Sequence, residues 1–178
     1  MAENGNGAAP QNGAQPAAAG AAPQVKFQVL AQFVRDLSFE NAVVRGDGKI
    51  PAGQPDIQVQ VSLDAKKKEG ADNHFEVISK YRIESKVKET GATLYLVELE
   101  YGAIFLIDGV PEDQMHPFLL IECPRIVFPF ARRIISDMTR DGGFPPLNLD
   151  MIDFMQMYRQ QLAARQAQQG QATPPAAS

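Results

Sequence analysis

A nucleophilic site in this chain would have to be built from its single cysteine, Cys123, and one of two histidines, His74 or His116. A catalytic thiol needs an accessible, electropositive setting that lowers its pKa. Cys123 stands beside Glu122 in an apolar, acidic stretch, so it reads as a small buried thiol at a helix junction. His116 lies among apolar residues in the first turns of a helix and reads as structural. Two histidines far apart, with no carboxylate at ligand spacing, do not make a metal site. Acid–base chemistry would need paired carboxylates, and two pairs exist: Glu98/Glu100 and Asp150/Asp153. The second pair opens a helix, and capping accounts for it. Gly102 and Gly142-Gly143 fit no phosphate-binding pattern. None of these constellations on its own builds a catalytic, metal or phosphate site.

What remains is suited to docking. Residues 89–124 hold seven acids (Glu89, Glu98, Glu100, Asp108, Glu112, Asp113 and Glu122) and no Lys or Arg. Glu98 and Glu100 share an outward face with Leu94 and Leu96. Two exposed leucines beside two unneutralised carboxylates solubilise poorly but suit a partner. Five of the six methionines (Met115, Met138, Met151, Met155 and Met157) fall in the helical half. Methionine refits to varied partners, so this surplus suggests an oligomer interface, a groove for apolar segments, or both. The alternative from another class is a small-ligand-binding protein or enzyme with a pocket between sheet and helices.

The positioning elements follow from hydrophobic periodicity. From Val25 to Asp108 the period is two: odd residues are apolar and even residues polar in four consecutive segments. In the first, Val25, Phe27, Val29, Ala31, Phe33, Leu37 and Phe39 are assigned to the buried face, and Arg35 marks a bulge or bend. Lys66–Asn73 and Glu89–Gly91 read as hairpin turns. The long Asn41–Pro55 connection carries Val43, Val44 and Ile50 and should lie over the body of the protein. After Gly109 the period becomes helical. One helix starts at Pro111 and should end before Pro124; a second runs to Gly142-Gly143. A third, capped by Asp150, should carry Met151, Phe154, Met155, Tyr158 and Leu162 on one face. Strands followed by helices make an α+β fold, a four-stranded antiparallel sheet with helices packed on one face.

The 178 residues carry a net charge of −4. Residues 1–24 hold nine Ala, four Gly and three each of Gln, Pro and Asn, and all fourteen aromatic residues lie between Phe27 and Tyr158. The expected folding unit is residues 25–162, flanked by disordered tails at 1–24 and 163–178. No apolar run approaches the roughly 20 residues that span a bilayer. The N-terminal stretch has neither basic n-region nor apolar h-region, so no secretory signal is expected. A lone cysteine fits a reducing cytoplasm, and an acidic chain without a basic stripe argues against nucleic acid.

Cys123-Pro124-Arg125-Ile126-Val127-Phe128-Pro129-Phe130-Ala131-Arg132, followed by Gly143-Phe144-Pro145-Pro146-Leu147-Asn148-Leu149, resembles the signature of the SecB protein-export chaperones. Asp36-Leu37-Ser38-Phe39-Glu40 and Tyr101-Gly102-Ala103-Ile104-Phe105 also match, and the tails resemble the alphaproteobacterial branch. The resemblance implies a homotetramer, a dimer of dimers, that keeps precursor proteins unfolded in the cytoplasm and passes them to the SecA ATPase. It implies no enzymatic activity, no cofactor and no membrane insertion. It places SecA binding on an acidic patch at Asp36, Glu40, Leu96 and Glu98, all even-numbered. It places clients in grooves walled by Val43, Val44 and Ile50 on one side, and by Phe144, Leu149, Met155 and Tyr158 on the other. Relatives often end in an acidic tail; this chain ends in Ala, Gln and Pro, so no C-terminal SecA contact carries over.

Overall fold

The computed structural model describes residues 25–171; the proposed N-terminal tail and residues 172–178 of the C-terminal one lie outside them. Strand β1 (Lys26–Asn41) leads through a one-turn helix, α1 (Ala42–Arg45), to β2 (Pro55–Lys67), β3 (His74–Val87) and β4 (Thr93–Asp108). Helices α2 (Glu112–Asp141) and α3 (Phe154–Gln171) complete the chain, α3 running on past Leu162. The sheet order is β1-β4-β3-β2, with every pair antiparallel. Since β1 and β2 are opposite edges, the connection between them must cross one whole end of the sheet, which explains its length. Asn41 anchors the start of that crossing: its side chain accepts from the Val44 N–H and donates to the Gly142 carbonyl at 2.9 Å.

Odd residues of β3 and β4, among them Val77, Tyr81, Ile83, Val97, Leu99 and Phe105, are buried under the helices, as alternation requires. β1 departs from this pattern. Its pairing with β4 shifts between Val29 and Ala31 and again between Val34 and Asp36. Leu30 and Arg35 are therefore each one residue too many. Between the two bulges the faces are exchanged. Phe33 opposes Gly102 and lies against Ile78 on the outer face, and Ala31 opposes Ile104. The assignment of Ala31 and Phe33 to the helix-covered face is thereby corrected. Phe33 also explains why Ile78, on the face away from the helices, is buried.

The expected break at Pro124 does not occur. α2 is one helix of 30 residues with Pro117, Pro124 and Pro129 inside it. An interior proline costs about 3 kcal/mol through its missing N–H and the ring clash. Leu120, Cys123, Pro124, Val127, Phe128, Ala131 and Ile135 nevertheless form an unbroken buried stripe along α2. Each large apolar side chain on it contributes about 1.5–3 kcal/mol by burial, which outweighs the local preference. At its C-terminal end Thr139 is fully buried; its hydroxyl donates to Ile135 O at 3.0 Å and accepts from Leu147 N at 2.9 Å. That pins the stiff connection after the helix. α3 is capped by Asp153, which accepts from the Gln156 N–H at 2.9 Å, and not by Asp150. Its inward face is Phe154, Met157, Tyr158 and Gln161, while Met151 precedes the helix and is exposed along with Met155 and Leu162. The helix starts three residues later than expected, which leaves Met151 outside it.

Candidate functional site

Three strands build the charged part of the outer face. On β4, Glu98 lies between Arg82 of β3 and Ser38 of β1, and Glu100 lies between Lys80 and Asp36. Leu96 is flanked by Glu84 and Glu40. The register thus gathers Asp36, Glu40, Leu96 and Glu98 on one side of the sheet. Asp36 and Glu98 line a shallow depression of about 460 Å³ there with Lys80, Arg82 and Glu100 among others, while Glu40 and Leu96 lie outside it.

These carboxylates are not bare. Arg82 pairs with Glu98. Arg35 Nε donates to Glu100 Oε2 at 2.6 Å, and Lys80 Nζ reaches Glu100 Oε1 at 3.1 Å. The hydrogen bond from Arg35, then that from Lys80, holds the Glu100 carboxyl below the usual carboxylate range. Arg45 of α1 reaches Glu40 at 3.0 Å. Asp36 forms no ion pair among the described residues. The expectation of unneutralised carboxylates is corrected here. A count along one segment sees only acids, whereas strand pairing brings bases from both neighbouring strands. The exposed leucine pair is corrected too, because Leu94 is buried where the β3–β4 register slips.

The apolar candidates divide between two places. At the end of the sheet crossed by the β1–β2 connection, Val43 is buried, whereas Val44 is 72% and Ile50 65% exposed. Phe144 sits at this end, its ring 4.8 Å from that of Tyr95 and 6.5 Å from that of Phe39. Met155 and Tyr158 lie instead by the N-terminal turns of α2. Met155 borders a depression with Pro117, Phe118 and Ile121, and the Tyr158 hydroxyl lies 3.0 Å from His116 Nδ1. From His116 to Gly142 the helix axis runs roughly 39 Å at 1.5 Å per residue, so these two sets lie far apart within one copy of the chain. Leu149 is in the core. Sequence reasoning missed Ile57 and Val59, which point to the helix side of β2 yet stay 38% and 43% exposed. Alternation marked them as covered; only the order of strands, with β2 at an edge, reveals them as free.

Cys123 is fully buried, and its thiol is pushed up to about 12 by burial first and by the Glu122 charge second. It stays protonated and unreactive near neutral pH. Among the described residues no three of His, Cys, Asp and Glu are grouped to hold a metal, and no helix is long and apolar enough to cross a membrane.

The family model described as preprotein translocase subunit SecB matches residues 20–165. The chain belongs to the SecB family. Similar curated relatives are named protein-export protein SecB. That of Jannaschia sp. (strain CCS1) is 63% identical over 155 residues, 86% of this chain and 90% of the relative. That of Paracoccus denitrificans (strain Pd 1222) is 54% identical over 175 residues, 97% of each. A solved Mycobacterium tuberculosis SecB-like chaperone, in complex with a ChAD peptide from the HigA1 antitoxin, superposes with a TM-score of 0.58 at 12% identity. The match covers 71% of this chain and 90% of that one, a likeness of fold. As a SecB family member the protein is a protein-export chaperone.

Proposed function

We propose that the chain acts as a cytoplasmic holdase, without catalysis or cofactor, that grips unfolded precursors on apolar surface and delivers them to SecA at the outer face of its sheet. The observation carrying this reading is the segregation of chemistry. Charged side chains occupy the middle of the outer face, while Val44, Ile50, Ile57 and Val59 leave apolar surface open around the crossed end. Burial contributes about 25 cal/mol per Å² whatever the client sequence, so such a surface holds many unfolded chains and ignores folded ones. Of the residues assigned to the groove, Val44, Ile50 and Phe144 belong to this surface. Val43 and Leu149 are buried in the core, and Met155 and Tyr158 extend the client surface at the N-terminal turns of α2.

One segment binds weakly, because ordering the client opposes binding. Repetition of the site in a dimer of dimers gives avidity gains of roughly 10²–10⁴. The free edge of β1, with Leu30 and Val34 exposed, and the exposed Ile126 and Phe130 of α2 supply apolar surface for joining copies. SecA docks through Asp36, Glu40, Leu96 and Glu98, and release needs no nucleotide on this protein. Charge reversal at Glu98, or at Asp36 with Glu40, should weaken SecA binding and leave suppression of client aggregation intact. A parallel loss of both activities would refute the two-surface reading.

A further inference from the structure

Of the carboxylates assigned above to SecA, Glu98 and Glu40 are already engaged by cations of their own chain, and so is the neighbouring Glu100. Arg82 holds Glu98 from the neighbouring strand, and Lys80 and Arg35 hold the two oxygens of Glu100. The side chains of all five are partly exposed, so these pairs are the weak, exchangeable kind. Arg35 reaches Glu100 because of the second bulge. In the regular parts of β1, odd residues such as Phe27, Leu37 and Phe39 oppose the helix-facing residues of β4. The interruption between Val34 and Asp36 frees an odd residue to turn outward. A basic partner that engages Glu98 and Glu100 meets carboxylates already partly neutralised by Arg82, Lys80 and Arg35 and competes with those cations for them.

We infer that Arg82 and Arg35 are built-in competitors for the docking face, which lower its affinity for any basic partner and so restrict it to one presenting several cations at once. The inference rests on the reading that this face receives SecA. A lone lysine on an unfolded client meets occupied carboxylates and two guanidinium groups that repel it. A partner with several cations displaces both arginines together and reaches the unpaired Asp36 as well. Specificity then comes from an opposing element as well as an attractive one.

The test is the affinity of the full-length protein for SecA at fixed, low ionic strength, with Arg82→Gln, Arg35→Gln, Glu98→Gln, the double variant Arg82→Gln/Glu98→Gln, and Lys66→Gln. Lys66 pairs with Glu76 at 2.9 Å on the same face, well away from Glu98, and its substitution changes net charge equally. The expected result is tighter binding by about two- to fivefold for each arginine variant. Arg82→Gln should give no gain in the Glu98→Gln background, and Lys66→Gln should give little. No gain from either arginine variant, or an equal gain from Lys66→Gln, overturns the inference while Glu98→Gln still weakens binding. If Glu98→Gln leaves SecA binding unchanged, the docking face itself is misassigned and the inference falls with it.

Discussion

A Cβ at Gly102 would stand 2.6 Å from Cε2 of Phe33 and 2.7 Å from Cδ1 of Ile78. Gly102 is therefore the floor on which Phe33 rests, and Phe33 is the roof over Ile78. Both bulges of β1 serve this arrangement: the first turns Phe33 outward, the second returns Asp36 to its even-numbered face beside Glu100. Gly102→Ala should displace Phe33 and lower stability by about 1–3 kcal/mol, seen as a shift of the urea midpoint at unchanged slope; an unshifted midpoint would mean that Phe33 does not pack there. At this scale the sequence is readable where chemistry follows parity. Asp36, Glu40, Leu96 and Glu98 are even-numbered in regular stretches and do share a face. Parity fails between the bulges, where Phe33 changes sides, and says nothing of Arg82 or Lys80. Those counter-ions come from another strand, and only pairing register shows which strand and which residue.

The four strands could be read from alternation almost without help, because a half-covered antiparallel sheet imposes period two. The helices were harder. Proline after Cys123 is a local signal to stop, and it is overridden by a buried stripe that continues through it to Ile135. That stripe was visible on either side of Pro124, but its continuity depends on the sheet beneath. Pro129 offers a direct check on the energetics. It is exposed on α2, so replacement by Ala loses little packing, restores an N–H toward the Arg125 carbonyl and removes the ring clash. The gain of about 3 kcal/mol is offset by about 1 kcal/mol from greater freedom of the unfolded chain. Pro129→Ala should therefore stabilise the protein by about 2 kcal/mol in denaturant titration. A loss of stability would contradict this accounting of the proline's cost.

For the molecule as a whole, strand order turns a pattern into a working surface. With β1 and β2 at the two edges, the connection between them crosses one end of the sheet. It brings Val44 and Ile50 to the end where Ile57 and Val59 are left open. Alternation reports which side a residue faces but not whether anything covers it, so this surface was only half legible, and a client groove from Phe144 to Met155 must run along most of the length of α2. The outer sheet face, by contrast, carries its charges where neither helix reaches. Client and SecA should consequently bind together and not in competition. Native mass spectrometry of the full-length protein mixed with an unfolded precursor and SecA measures this directly. The account predicts a single assembly holding four copies of the chain, the precursor and SecA; SecA that binds only the empty chaperone, or expels the precursor without itself taking it up, would contradict it.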